Sequence, residues 1–404
     1  MQGLLSMVGL VGWILACAGA PGPASRVLPG LDVLIEDSLS LVQGRRVGLV
    51  SNQGGVDARG QHAVERLRAA HVNLVALFSP EHGFRGTAAP GETVLSTRDS
   101  ATGLPIYSLY GRTSSPTDSM LAGIDVMLVD LPDVGARYFT YLATTIEVMR
   151  AAGRRGIRVL VLDRPDPIGG AVQGNVLDSA YRSFVGSLAI PMRHGMTLGE
   201  LSRLARQDLS ITVALTVIPV QGWHRGEALD ETGLPFIRPS PNLPTLESLF
   251  HYPGICLFEG TNLSVGRGSD APFEQVGAPW LDTAAVLGAL AGSGLEGVEF
   301  RAVSFTPRAP GDAKYGDTAL AGIRLRVTDR EKYDPTRTAV VLLSIIKRLQ
   351  PDRFHWLAPQ FDRLAGGPLL RAALDRGDDP QSIVAGWEPG LEQFKARRRS
   401  ILLY

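Results

Sequence analysis

The sequence is poor in cysteine. Cys17 and Cys256 are its two thiols, too few for a disulfide framework, and there is neither a CxxC pair nor a Cys/His spacing suited to zinc. It has no surplus charge of either sign: 40 Lys and Arg stand against 40 Asp and Glu. Nothing therefore draws it to nucleic acid or to an anionic membrane surface, although a few local Arg side chains still suffice for a small anion. Beyond the first residues no run of about 20 apolar residues occurs, which excludes a membrane-spanning helix there. The phosphate-cradling GxxxxGK[ST] and the zinc motif HExxH are missing, and no GxGxxG follows the first strand. Ser264 is no nucleophile elbow, because Asn262-Leu263-Ser264-Val265-Gly266 lacks the first Gly of GxSxG. No motif calls for a cofactor or a metal.

What is present begins with a short apolar run from Leu4 to Leu15, followed by small residues. It is too short to span a bilayer comfortably and reads as an export signal over residues 1–20, although only the Met1 amine supplies positive charge at its start. Ile14-Leu15-Ala16-Cys17 resembles a bacterial lipobox, with Cys17 as the lipidated residue; Ala18 and Ala20 offer cleavage sites without lipidation. The expected product is exported, as a periplasmic protein, an envelope lipoprotein held by Cys17, or a secreted protein.

After a Pro- and Gly-rich linker at 21–30, apolar strands alternate with helices. Strands are expected at Arg46–Val50, Val72–Phe78, Ile124–Val129 and Arg158–Leu162, with helices at 61–70 and Phe139–Ala152. Leu142, Ile146 and Met149 share one face of the latter. A helix over Thr197–Gln207 starts at a capping box of Thr197 and Glu200, and a strand follows at 212–219. This alternation predicts an α/β fold with a Rossmann-like, mostly parallel sheet. From 235 to 280 the chain turns irregular, as functional segments in compact proteins do. A helix near 282–291, strands near 298–305 and 320–327 and a helix at 335–350 then predict a smaller α/β domain. The expected division is 31–235 and 236–404, with the active-site cleft between. The last forty residues read as mixed, and Arg397-Arg398-Arg399 as a solvated face.

Four strands end in polar residues: Ser51-Asn52-Gln53, Ser79-Pro80-Glu81-His82-Gly83, Asp130-Leu131-Pro132-Asp133 and Asp163-Arg164-Pro165-Asp166. In open parallel sheets ligands bind beyond the carboxyl ends of the strands. Glu81 leads the candidates. Pro80 stiffens its turn and Gly83 lets the chain bend away, so its carboxyl group stands at the mouth of an apolar sheet, a setting that suits a general acid. His82 either orients Glu81, contacts ligand or is structural. A second cluster runs from Phe258-Glu259-Gly260-Thr261-Asn262 to Arg267-Gly268-Ser269-Asp270. Glu259 offers another carboxyl group, Asn262 suits an acetamido or hydroxyl group, and Arg267 can grip a carboxylate with two hydrogen bonds. Arg193 and His194 precede a helix, a good place for an anion. Asn242 lies in Arg238-Pro239-Ser240-Pro241-Asn242-Leu243-Pro244, a rigid polar wall or a rigid linker.

Together these motifs resemble the exo-β-N-acetylmuramidase (NamZ-type) glycoside hydrolases. The resemblance is carried by Ser79 to Gly86, Asp130 to Tyr138, Asp163-Arg164-Pro165, Ser183-Phe184-Val185-Gly186, Arg193 to Thr197 and Phe258 to Glu274, in the family's order over about residues 30–404. It implies a Rossmann-like domain, a smaller α/β domain and release of N-acetylmuramic acid from non-reducing ends of peptidoglycan-derived disaccharides or muropeptides. It gives Glu81 the catalytic role; the residues offer Glu259 as the second carboxyl group, with Asp130 or Asp163 as rivals, and His82 beside Glu81. Asn52, Asp130, Tyr138, Asp163, Arg164, Arg193, His194, Asn242, Asn262, Arg267 and Asp270 are the expected substrate contacts. The sugar's lactyl carboxylate suits Arg164, Arg193 or Arg267. Its acetamido group is itself a possible nucleophile, which leaves the stereochemistry open. Gln173 departs from the acidic residue common at that place in the family. Two other readings use the same residues: a metal-dependent hydrolase with Glu81, His82, Asp130, Asp163 and His194 as ligands, and a glycan-binding lipoprotein without turnover.

Overall fold

The computed structural model describes residues 27–89 and 91–404; the apolar run at 4–15 and Cys17 lie outside them. Twelve strands occur in the described chain: β1 (Arg46–Ser51), β2 (Asn73–Ser79), β3 (Thr97–Arg98), β4 (Pro105–Ser108), β5 (Val126–Asp130), β6 (Arg158–Leu162), β7 (Gln173–Val176), β8 (Pro191–Arg193), β9 (Leu215–Ile218), β10 (Gln275–Ala278), β11 (Val298–Phe305) and β12 (Leu320–Val327). The main sheet has the order β3-β4-β2-β1-β5-β6-β9. Every pairing in it is parallel except that of β3 with β4. The mostly parallel sheet and the α/β class are as the strand–helix alternation predicts.

The sheet is buried on both faces because its central strands are apolar over most of their length, and period 2 divides them between two cores. Leu128, Leu160 and Leu162 point to one face, where Leu31 and Leu34 of α1 (Gly30–Asp37) and Leu67 of α2 (Ala63–Ala69) pack. Met127, Val129, Val159 and Val161 point to the other. There Leu142, Ile146 and Met149 of α3 (Tyr141–Arg154) and Leu201 and Leu204 of α4 (Leu198–Asp208) cover them. The expected capping box opens α4: the Thr197 hydroxyl accepts from the Glu200 N–H, and the Glu200 carboxylate from the Thr197 N–H.

The linker reading fails at its end: Val27 is buried against Val220 and Trp223, and Leu28 pairs with Gln221. The 235–280 stretch also holds more regular structure than expected, with α5 (Leu246–Ile255) capped by Thr245 in its middle. The smaller lobe packs α5, α6 (Thr283–Leu290) and α7 (Pro335–Leu349) with the antiparallel sheet β10-β12-β11. The last forty residues are helical: α8 (Ala358–Ala365), α9 (Leu369–Arg376), α10 (Pro380–Ala385) and α11 (Glu388–Arg398).

Two of the three basic residues at the end of α11 correct another expectation, while Arg399 is exposed as expected. Arg397 donates to the Ala189 carbonyl, and Arg398 donates to the carbonyls of His194, Gly195 and Gly170. These guanidinium groups clasp the N-terminal lobe. Carbonyl oxygens of loops at strand ends have no ladder partner, and a guanidinium with five donors satisfies several at once.

Candidate active site

The chain runs outward from β1 to β2 and β4, then returns to add β5 on the other side of β1. The strand order therefore reverses between β1 and β5. In nucleotide-binding sheets that crevice takes the ligand. Here Gly54, Pro132, Arg164, Leu234, Phe236 and Pro239 line it. The chemistry collects beside it, at the end of β2.

Pro80 ends β2, the Gly83 N–H returns to the Pro80 carbonyl at 3.1 Å, and His82 adopts φ +69°. Positive φ at a non-glycine residue stores strain that the surroundings must hold, a common property of functional turns. The turn aims the Glu81 carboxyl group at two donors. The Thr140 hydroxyl donates to Oε2 at 2.8 Å, and the Gly91 N–H to Oε1 at 3.0 Å. Tyr110, just beyond β4, presents its hydroxyl to the same carboxyl group; burial and the Glu81 charge push its pKa up to about 12.

Tyr141 ties the neighbouring turns together. Its hydroxyl accepts from Asn52 Nδ2 at 2.8 Å and faces the carbonyls of Pro239 at 3.2 Å and Glu81 at 3.4 Å. His82 is buried, and its Nδ1 donates to the Ala88 carbonyl at 2.9 Å. Burial lowers its pKa, the Glu81 charge works against this, and Arg267 adds to it. Arg267 comes from the smaller lobe, so the two lobes meet electrostatically at this turn. Its Nε and Nη2 bond Glu259 Oε1 at 2.6 and 2.5 Å. Burial opposes the Arg267 charge, but Glu259 more than restores it and holds the pKa above the usual guanidinium value. Lys314 fixes the loop beneath by donating to the carbonyls of Phe258, Glu259 and Leu263.

The other expected contacts divide. Asn52 belongs to the Glu81 network through Tyr141. Buried Asp130 pairs with half-buried Arg164, Nε to Oδ1 at 2.7 Å, at the β1/β5 crevice. Burial raises the Asp130 pKa against the pull of Arg164. Asn242 is half-buried in its proline-rich wall, with its N–H on Ser240 Oγ.

Five of the expected contacts bond mainly to the protein itself, and a sixth, Asp270, lies on the surface. Asp163 accepts from Thr197, Gly199 and Tyr404. The Tyr138 hydroxyl donates to the Pro253 carbonyl. Arg193 is buried on Gln173 and the Ile168 carbonyl. His194 is 1% exposed, with Nδ1 accepting from Met196 N–H and Nε2 3.3 Å from Asp133. Asn262 is spent on the backbones of Arg353 and His355. Asp270 pairs with Arg324 on the surface. Among the described residues no three His, Cys, Asp or Glu side chains are grouped to hold a metal ion, so the ligand set proposed for one does not assemble.

Comparison with known proteins fits this geometry. Residues 47–247 match the N-terminal and residues 250–404 the C-terminal part of the family described as exo-beta-N-acetylmuramidase NamZ. The chain belongs to the NamZ family. It is 41% identical to the peptidoglycan beta-N-acetylmuramidase NamZ of Bacillus subtilis, over 98% of this chain and 97% of that protein. Two DUF1343 family proteins of Bacteroides fragilis are solved relatives, each 33% identical. One has a TM-score of 0.87 and covers 95% of this chain and all of its own; the other, 0.76, covers 94% and 99%.

Within this NamZ fold Gln173 has a plain role. Its Oε1 accepts from Arg193 Nη1 at 2.9 Å and its Nε2 donates to the Tyr333 carbonyl at 3.2 Å, joining the lobes. An amide does both, whereas a carboxylate only accepts. Thr140, Tyr141 and Tyr110 were not legible as site residues. Thr140 and Tyr141 directly follow the Asp130-to-Tyr138 motif at a helix start, and that position was the available signal.

Proposed function

We propose that this protein is an exo-β-N-acetylmuramidase that hydrolyses the β-glycosidic bond of N-acetylmuramic acid at the non-reducing end of peptidoglycan fragments, with Glu81 as proton donor. The observation that carries the reading is the Glu81 carboxyl group, fixed on a strained turn at the carboxyl end of β2 between Thr140 and the Gly91 amide. Thr140 anchors Oε2 and so fixes the plane of the carboxyl group. Oε1 accepts from the Gly91 loop amide and is assigned here to the leaving glycosidic oxygen. Protonation of that oxygen as the bond breaks is general acid catalysis.

Arg267 supplies the positive charge for the lactyl carboxylate. Two of its nitrogens go to Glu259, which leaves Nη1 for a ligand; Arg193 is held by Gln173 and the Ile168 carbonyl beside a different cavity, and Arg164 faces the neighbouring crevice. Such charge-assisted bonds separate N-acetylmuramic acid from N-acetylglucosamine. The substrate lies outside the inner membrane, and the run at 4–15 with Cys17 supports export and lipid anchoring there. Purified protein incubated with a chromogenic β-glycoside of N-acetylmuramic acid tests the function. Release of the chromophore, with none from the N-acetylglucosamine analogue, is expected; no turnover of either overturns it.

A further inference from the structure

The Ser183-Phe184-Val185-Gly186 motif has no role in the chemistry above. Ser183 and Gly186 close a tight turn by two mutual backbone hydrogen bonds of 3.1 Å, so the turn pushes Phe184 and Val185 outward. Val185 packs against the main hydrophobic core. Phe184 belongs to neither large core; it lies tilted on Tyr110, ring centroids 6.0 Å apart. Both rings are half-buried. The Tyr110 carbonyl accepts from the Val94 N–H at 2.9 Å, and Gly111 leaves room for Thr93 alongside, so the loop that carries Gly91 holds the pair in place. A phenylalanine kept out of the core and fixed beside an acid has the form of a ligand contact.

Glu81 thus has two unlike neighbourhoods. Arg267, from the smaller lobe, brings positive charge to the adjacent His82, and the Tyr110–Phe184 pair stands on the β4 side with apolar faces. The substrate in the proposed reaction is equally unlike at its two ends: one sugar carries a carboxylate and the other, N-acetylglucosamine, does not. The C–H face of a neutral β-linked pyranose ring is apolar and stacks on aromatic side chains.

We propose that Phe184, held by Tyr110, is the stacking platform for the leaving sugar, and so sets preference for a sugar over a small leaving group. This rests on the glycosidase reading. The test compares kinetics on the N-acetylmuramyl-β-1,4-N-acetylglucosamine disaccharide and on N-acetylmuramyl fluoride, whose leaving group has no ring to stack. Phe184→Ala should raise KM for the disaccharide about tenfold, the scale of one good aromatic contact, while leaving its kcat and both constants for the fluoride within about threefold. Phe184→Tyr should restore the disaccharide KM. Equal losses on both substrates, or no change on either, overturn the platform while leaving the glycosidase standing. Wild-type protein inert on both substrates removes the glycosidase reading, and the platform with it.

Discussion

The hydroxyl of Tyr404 donates to Asp163 Oδ2 at 2.8 Å while accepting from the Val220 N–H at 2.8 Å. Residue 404 therefore completes a buried carboxyl group at the end of β6. Asp163 Oδ1 accepts from the Gly199 N–H at 2.7 Å, and Thr197 also donates to Oδ2. Burial pushes the Asp163 pKa up to about 6 against these three donors. Tyr404→Phe removes one donor and leaves the rest. It should cost about 1–3 kcal/mol of stability, read as a lower melting temperature, with kcat unchanged well below the transition.

Asp166 points the other way. Oδ1 accepts from the Ile168 N–H at 3.1 Å, but the buried Oδ2 has no hydrogen-bond partner among the described residues. Burial pushes its pKa up to about 7, with His194 opposing and Asp133 assisting. A carboxyl group whose folded pKa lies above its unfolded value, about 4, stabilises fully below that value, and the contribution is lost as pH rises to about 7. Asp166→Asn keeps the bonded oxygen and cannot ionise. Its melting temperature should exceed that of wild type at pH 8 by about 3 °C, the shift that roughly 1 kcal/mol gives in a large domain. The difference should vanish near pH 4.

Glu81→Gln keeps the shape of the side chain and removes the transferable proton. A fall in kcat of about 10²–10⁴ is expected, the usual span for a general acid, with substrate binding retained in calorimetry. Activity within about threefold of wild type would remove Glu81 from the chemistry.

Arg267→Ala should erase most of the preference for N-acetylmuramic acid over N-acetylglucosamine glycosides, about tenfold to a hundredfold in the kcat/KM ratio. Arg164→Ala should leave that ratio in place, because its guanidinium pairs with Asp130 at the adjoining crevice. Retained discrimination in the Arg267 variant would assign the lactyl carboxylate to another group.

Cys17→Ser should move the protein from the membrane fraction to the soluble one without changing the activity of the folded domain. A wild-type protein that is already soluble, with its N-terminus after Ala18 or Ala20, would rule out lipidation and keep export. An intact Met1 on mature protein would exclude both.

The sheet was legible because its signal is local. Four apolar runs each stop at a polar cluster, and Arg158–Leu162 and Leu320–Val327 match the observed strands residue for residue. Glu81 was legible for the same reason, since Pro80 and Gly83 mark its turn in the chain itself. The partners of Asp163, Arg193, Asn262 and Arg398 were not, because each is set by residues far away in sequence. Asp163 and Tyr404 are 241 positions apart, and no periodicity links them. A polar residue at a strand end therefore reads alike whether it faces ligand or holds a distant loop. Tyr110 escaped because β4 is only four residues long.

The clasp made by Arg397, Arg398 and Tyr404 also orders events in time. The carbonyls of Gly170, Ala189, His194 and Gly195, and the Asp163 carboxyl group, find these partners only after residues 397–404 have been made. A growing chain carries the larger lobe without this clasp until then. Its helices and strands can assemble during translation, but these polar groups at the ends of the sheet gain their clasp partners later. A chain truncated ahead of α11 leaves those groups open and is the natural target of quality-control proteases.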